Sequence, residues 1–383
     1  MLIVADENIP FVQEAFGRFG RVRTLPGRAL SRRELREAEV LLVRSVTRVD
    51  ERLLAGTRVR FVGTATIGTD HLDEEYLKKA GIAYASAPGS NACSVADYLT
   101  AAVLVLAGRL GLELPSLTAA VVGCGNVGSR VVKRLRALGL RVLENDPPLR
   151  EKTGGECFLP LQDVLPQADL VTLHVPLTRS GPHPTFHLAD ERFLCELLRP
   201  GAIFINTSRG KVVDEAALLY ARRVRRLRAV VLDVFHDEPD VSPEILEAAD
   251  IATPHIAGYA LDGKARGTMM LHEALARFLG EEPSWRMEEV LPEPPLPVIE
   301  LDPGPEAVAR AVAAVYDIEA DDRKFRRLPL LPRELRAGYF DRLRKEYPVR
   351  REFRNTTVRF RRPAPPALVE TLETLTFRVE NPA

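Results

Sequence analysis

The chain has 383 residues, 46% hydrophobic and 28% charged, with 53 Lys+Arg balanced by 53 Asp+Glu. That length favours two or three domains over a single core, and the composition is globular rather than disordered. Zero net charge gives no argument for a nucleic-acid or anionic-membrane partner, and no stretch approaches the ~20 apolar residues that span a bilayer.

MLIVADENIP passes from a short apolar stretch directly into charge, so it is expected to be a strand and not a signal peptide. LIVAD, VLLVRS, VRFVGTA and IAYASAP then alternate with the amphipathic stretches VQEAFGRF, RRELREA and EEYLKKAG, a βα pattern that predicts an α/β layer fold. NACSVADYLTAAVLVLAGRL (91–110) predicts a long apolar helix leading into a second domain. A second βα series runs from TAAVVGCG to DIATPHI, and a helix over 261–280 is expected to return to the first domain. PEPPLP (292–297) and DPGP (302–305) are expected to form a linker, followed by a small separate α+β module. Cys93, Cys124, Cys157 and Cys195 form no CxxC pair or zinc-like cluster and are expected to be buried free thiols. The basic run ARRVRRLR (221–228) is expected to be a solvated helix end; a polyanion site there would show as a salt-dependent gel shift.

VVGCGNVGSR carries Gly123, Gly125 and Gly128 between an apolar strand and an amphipathic helix. In that context Gly123 permits a tight turn, Gly125 lets a pyrophosphate approach the backbone, and Gly128 lets helix pack on strand. The N–H groups of Asn126 and Val127 are expected to face the phosphates at the helix start. Asp146 follows the next strand, where a carboxylate accepts from a ribose 2′-OH and repels a 2′-phosphate, so NAD is expected rather than NADP.

Three further strand ends carry Arg209, Glu238 and His255. A guanidinium can hold a carboxylate through two parallel bonds. A histidine can take a hydroxyl proton while a carboxylate fixes its tautomer. The three residues together suit oxidation of a 2-hydroxy acid. Asp237 and His236 are rival acid and base, while His71, His174 and His272 are expected to pack or lie at the surface. His183 and His187 have helical spacing, but Pro182 and Pro184 disfavour a helix, so no metal site is expected.

SRGKVVDEAAL, LDVFHDEP and TPHIAGY, together with the glycine loop, resemble the D-isomer-specific 2-hydroxyacid dehydrogenases. ADENIP, VRSVTRVD, FVGTATIGTDHLD, PGSNACSVADY, HLADE, DDRKFR and YPVRREF are similar to a branch of that family acting on a phosphorylated four-carbon acid. The resemblance implies catalytic roles for Arg209, Glu238 and His255 and substrate contacts from Ser45, Thr66 and Tyr259. It places NAD against Asn126, Val127, Asp146, Thr207, Ser208, Arg209, Asp233 and Gly258. Val175 is carried as a backbone contact where the family often has threonine, and Ser208 stands where cysteine is common. Arg44, Ser45, Thr64 and Thr66 are the expected phosphate donors.

The expected architecture is two Rossmann-like doubly wound parallel-sheet domains plus a small C-terminal α+β domain. The boundaries are 1–92 with 259–282 for substrate, 93–258 for NAD, and 283–383 for dimerisation. The resemblance also implies a cytoplasmic homodimer without nucleic-acid or membrane partners. The rivals are a 3-phosphoglycerate or glycerate dehydrogenase on the same scaffold and a non-enzymatic NAD-sensing corepressor.

Overall fold

Residues 1–382 are described by a computed structural model, in which the short apolar runs form three parallel sheets. The chain divides into two units, Met1–Asn91 with Ala260–Glu293, and Ala92–Tyr259 with Pro294–Ala383.

The first unit contains β1 (Leu2–Asp6), β2 (Arg21–Leu25), β3 (Val40–Val43), β4 (Phe61–Thr64) and β5 (Ala83–Ala85), in the order β2-β1-β3-β4-β5. β3 and β4 are buried along their whole length, which is why they read as unbroken apolar runs rather than alternating ones. β2, RVRTL, was not expected. It is a partly exposed edge strand, and the charges that suit an edge mask its period. The helix Leu261–Leu279 covers one face of this sheet, placing Leu271 and Leu275 against Ile3, Val40, Leu42 and Phe61. His272 lies fully buried there: its Nδ1 faces the Ala15 carbonyl at 2.6 Å and its Nε2 accepts from the Ser284 and Trp285 amides.

In the second unit, β6 (Thr118–Val122), β7 (Arg141–Asn145), β8 (Leu170–Leu173), β9 (Ala202–Asn206), β10 (Leu227–Leu232) and β11 (Ile251–Ala252) take the order β11-β10-β9-β8-β6-β7. From β6 the chain goes outward to β7 and then back to β8. The strand order therefore reverses beside β6, where ligands of open parallel sheets bind. Both doubly wound sheets agree with the fold expected from the sequence. The stretch DERFLCELLRPG forms a π-helical turn over Arg192–Leu197 instead of an α-helix.

Further expectations are corrected. The helix Ala92–Leu110 has 19 residues and a mean hydropathy of 1.5, so one stretch does approach the length and composition of a membrane span. Most of it is buried inside the protein, as a core helix requires. The proline-rich segments are not a bare linker, because they flank the strand β12 (Val298–Leu301). Proline breaks a ladder only where its own N–H is needed, and four residues between the breaks suffice for an edge strand. β12 pairs with β13 (Thr357–Phe360), and β13 with β14 (Arg378–Glu380), all parallel. The C-terminal segment packs on the second unit. Ile299, Leu301, Val312, Tyr316, Phe353 and Val358 share one core with Val95, Leu99, Val103 and Leu106 of the long helix. The apolar face of that helix is thereby part of the core beneath the three-stranded sheet. Of the cysteines, only Cys124 is buried; Cys157 is exposed, and Cys93 and Cys195 lie between.

Candidate active site

The strand pairing aligns the loops that carry the site. Asn145, Val122, Leu173, Asn206, Leu232 and Ala252 are register partners in turn across the second sheet, from β7 to β11. The residues that follow them, Asp146, Gly123, His174, Thr207, Asp233 and Thr253, therefore leave the sheet at one level along its C-terminal edge.

At the β6 end, Gly123 has φ +88°, and a Cβ there would lie 2.7 Å from the His174 carbonyl oxygen. A Cβ on Gly128 would lie 1.8 Å from the Gly123 carbonyl oxygen, so the helix Gly128–Ala137 can start this close only with glycine. A Cβ on Gly125 meets nothing within 4 Å, and Asn126 beside it is exposed. Gly125 thus fills no packing need, which leaves room against its backbone for a pyrophosphate. Val127 occupies the N-cap, so the helix begins one residue later than Asn126–Val127. Asp146 turns its carboxylate inward: Oδ2 accepts from the Cys124 amide at 2.8 Å and Oδ1 from the Leu149 amide at 2.9 Å. An ionised carboxylate has about four acceptor sites, so these two bonds orient it and leave capacity for a ribose hydroxyl.

Val175 is partly buried and packs its side chain against the apolar cluster behind the glycine turn. Burial pushes the His174 imidazole down to about 3, so it is neutral at physiological pH; its Nε2 pairs with the Thr172 hydroxyl. The turn after β9 is held by Asn206, whose Oδ1 accepts from the Ser208 amide and hydroxyl and whose Nδ2 donates to the Arg209 carbonyl. The Ser208 hydroxyl is therefore committed to the protein. Arg209 lies half-buried, with Nη1 donating to the Ser208 carbonyl at 2.8 Å. A Cβ on Gly210 would sit 1.8 Å from the Phe235 carbonyl oxygen, so this glycine sets the Arg209 turn directly against the turn leading to Glu238.

Glu238 and His255 meet. His255 Nδ1 stands 2.7 Å from Glu238 Oε2, while Glu238 Oε1 accepts from the Phe235 amide at 2.9 Å. Burial alone would raise the Glu238 carboxyl; the facing His255, Arg344 and the Phe235 amide outweigh it and hold the group below its ordinary value. The rivals are engaged elsewhere: His236 Nδ1 pairs with Asp237 Oδ1 at 3.0 Å, and the His236 amide donates to Glu215. His255 has φ +56°, a left-handed conformation that costs a non-glycine residue about 1 kcal/mol. Asp233 holds that turn. Its carboxylate accepts from the Thr253 hydroxyl at 2.6 Å and from the Ile256 and Ala257 amides at 2.8 and 2.9 Å. Burial pushes the Asp233 carboxyl up to about 6, against the opposing pull of His255 and these donors. All three carboxylate bonds go to the protein, a supporting role the sequence did not suggest. Gly258 and Tyr259 close the loop, with the Tyr259 amide donating to the Ile256 carbonyl at 2.9 Å.

In the first unit, Arg44 and Ser45 follow β3, and Ser45 is exposed. Thr64 Oγ1 bridges Thr66 Oγ1 at 2.7 Å and His71 Nε2 at 2.9 Å, and Thr66 also donates to the Gly68 carbonyl. His71 is thus tied directly to the Thr64 hydroxyl and through it to Thr66. His183 faces Glu151 Oε1 at 2.7 Å and His187 stacks on Phe186, and no helix joins them. Arg222, Arg226 and Arg228 of the basic run donate to carbonyls of their own unit.

Comparison with known proteins agrees with this chemistry. A family model for the NAD binding domain of the D-isomer specific 2-hydroxyacid dehydrogenases matches residues 101–257, and one for a domain of unknown function matches residues 290–375. An erythronate-4-phosphate dehydrogenase of Pseudomonas putida is 49% identical over 95% of this chain and 96% of its own. One from Salinibacter ruber is 50% identical over 93% of each. Among solved structures, the D-lactate dehydrogenase of Aquifex aeolicus, complexed with NAD and lactic acid, superposes with a TM-score of 0.60 at 30% identity. The match covers 73% of this chain and 95% of that one.

Proposed function

The chain belongs to the erythronate-4-phosphate dehydrogenases of the D-isomer specific 2-hydroxyacid dehydrogenase family, and from that premise we propose how its residues act. The reaction is NAD-dependent oxidation of 4-phospho-D-erythronate to (3R)-3-hydroxy-2-oxo-4-phosphooxybutanoate. The observation that carries the residue assignment is the 2.7 Å contact between His255 Nδ1 and Glu238 Oε2. It commits Nδ1 to donating to the carboxylate and leaves the Nε2 lone pair to take the substrate hydroxyl proton. As the O–H bond breaks toward His255, the carbinol C–H bond breaks and the carbonyl forms. NAD, when bound, accepts the hydride. Glu238 then stabilises the imidazolium, and Arg209 orients the substrate carboxylate.

The residues present fit that cofactor: Gly123, Gly125, Gly128 and the first amides of the helix would hold the pyrophosphate, and Asp146 the adenosine ribose. Val175, Thr207, Ser208, Asp233 and Gly258 would lie along it mainly through backbone, because the Ser208 hydroxyl and the Asp233 carboxylate are already engaged. Ser45, Thr66 and Arg44 are proposed donors to the phosphorylated substrate, together with Tyr259. The pathway proposed is pyridoxal 5′-phosphate synthesis, in the cytoplasm. A homodimer through the C-terminal segment is also proposed. Its support is that Leu330, Leu335 and Val349, at 82%, 55% and 54% exposure, are the most exposed large apolar side chains among the described residues.

The test is NADH absorbance with 4-phospho-D-erythronate set against 3-phosphoglycerate. A higher kcat/KM for the four-carbon acid is expected; preference for 3-phosphoglycerate would move the chain to the other scaffold relative. No NADH from any 2-hydroxy acid would favour the corepressor reading.

A further inference from the structure

The C-terminal segment reaches the catalytic loop at one point. Arg350 is buried, and its Nη2 donates to the carbonyls of Ile256 and Ala257, at 3.2 and 2.5 Å. These two peptide units immediately follow His255, and their amides are already taken by Asp233. Both faces of the 256–257 backbone are therefore fixed, the N–H side by an anion and the C=O side by a cation. A peptide dipole held this way at both ends has little freedom to rotate, and the left-handed turn at His255 is the conformation it locks.

Burying a guanidinium costs several kcal/mol unless its surroundings compensate. Here they are arranged to do so. The Arg350 guanidinium lies 4.2 Å from the Tyr316 ring centroid, and Nη1 reaches the Tyr347 hydroxyl at 3.5 Å. Both tyrosine hydroxyls donate to Asp321 Oδ2. The next residues are anchored to the long helix, with Ser94 donating to Glu352 and the Phe353 amide to Asp97. A second arginine of the segment, Arg344, lies 5.5 Å from the Tyr259 ring centroid. A cation maintained at this expense, whose direct bonds to backbone all go to the two peptides after the acid/base, has a use beyond packing.

We propose that Arg350 is a positioning residue for His255, clamping the 256–257 backbone so that the imidazole meets both Glu238 and the substrate hydroxyl. The segment of unknown function is thereby part of the catalytic apparatus. This rests on the dehydrogenase reading above only for its kinetic arm. A misplacement of about 1 Å can cost ~10²-fold in rate.

The experiment compares Arg350→Met and Arg350→Lys with the wild-type full chain. Hydrogen–deuterium exchange is followed at residues 253–259, alongside kcat and the primary isotope effect with substrate deuterated at the carbinol carbon. For Arg350→Met, faster exchange confined to 253–259, a kcat loss of about 10- to 100-fold, a larger isotope effect and an NAD Kd within about 2-fold of wild type are expected. Arg350→Lys, which keeps donors in place, should recover part of each. Unchanged exchange at 253–259 in a folded variant overturns the clamp. So does a kcat loss that only tracks the folded fraction while the isotope effect stays constant. If Arg350→Met does not fold, Arg350→Gln, whose shorter side chain cannot reach the two carbonyls, is read in its place, and exchange at 253–259 equal to wild type overturns the proposal. If the wild type fails to oxidise 4-phospho-D-erythronate, the substrate assignment falls and the exchange comparison still decides the clamp.

Discussion

His255 depends on the residues around it. Its Nδ1 is held by Glu238, its own amide donates to the Asp233 carbonyl at 2.7 Å, and its turn is fixed by the Asp233 carboxylate. His255→Asn removes the base while leaving the glycine loop untouched, so kcat should fall about 10²–10⁴-fold with NAD affinity nearly unchanged, as stopped-flow and fluorescence titration would show. Asp233 makes a separate prediction about pH. Its folded value of about 6 lies above the ordinary carboxyl range, so the native state holds this proton more tightly than the unfolded chain. The stability it contributes is complete below the unfolded value and is lost as pH rises through about 6. Asp233→Asn loses acceptors and is destabilised at every pH. Its deficit against wild type should narrow by up to roughly 3 kcal/mol between pH 4 and 7, read from denaturant melts. At this scale the sequence was legible where chemistry announces itself through residue type. Arg209, Glu238 and His255 stood out as a cation, an acid and a base at strand ends. Arg350 did not, because its partners are two main-chain carbonyls more than ninety positions away, and such partners leave no mark on the local pattern.

Among the elements, the turn from β6 into the helix Gly128–Ala137 separates two kinds of glycine. Gly128 is required by packing, and Gly125 is left in open space. Gly125→Ala should therefore change stability by no more than about 0.5 kcal/mol while weakening NAD roughly tenfold or more. Gly128→Ala should destabilise the fold by about 1–3 kcal/mol or more, through its clash with the Gly123 carbonyl. Thermal melts with and without NAD distinguish the two. Equal losses of stability would remove the assignment of Gly125 to the cofactor. The central strands were legible because parallel strands buried on both faces read as apolar runs. β2 and β12 were not, since one is a charged edge and the other lies between prolines. Sequence periodicity reports burial, and edge strands are the elements with least of it.

For the molecule as a whole, residues 294–382 share a core with the NAD-binding sheet and its long helix. Calorimetry should show the C-terminal segment melting together with residues 92–259. A separate low-temperature transition that disappears on truncation at 293 would contradict the shared core. The proline-rich boundary suggested autonomy because breaks in local pattern are visible in sequence, whereas the faces that later pack together are not. The first unit carries a different consequence, for synthesis rather than for the finished protein. Its sheet is encoded within residues 1–91, but the helix that covers Ile3, Val40, Leu42 and Phe61 belongs to the segment that begins at residue 260. The intervening 259 − 91 = 168 residues take roughly 10–30 s to translate. For that interval the sheet face is covered only by Val12, Ala15, Phe16 and Phe19, and its apolar cluster is complete only once Leu271 and Leu275 have been made.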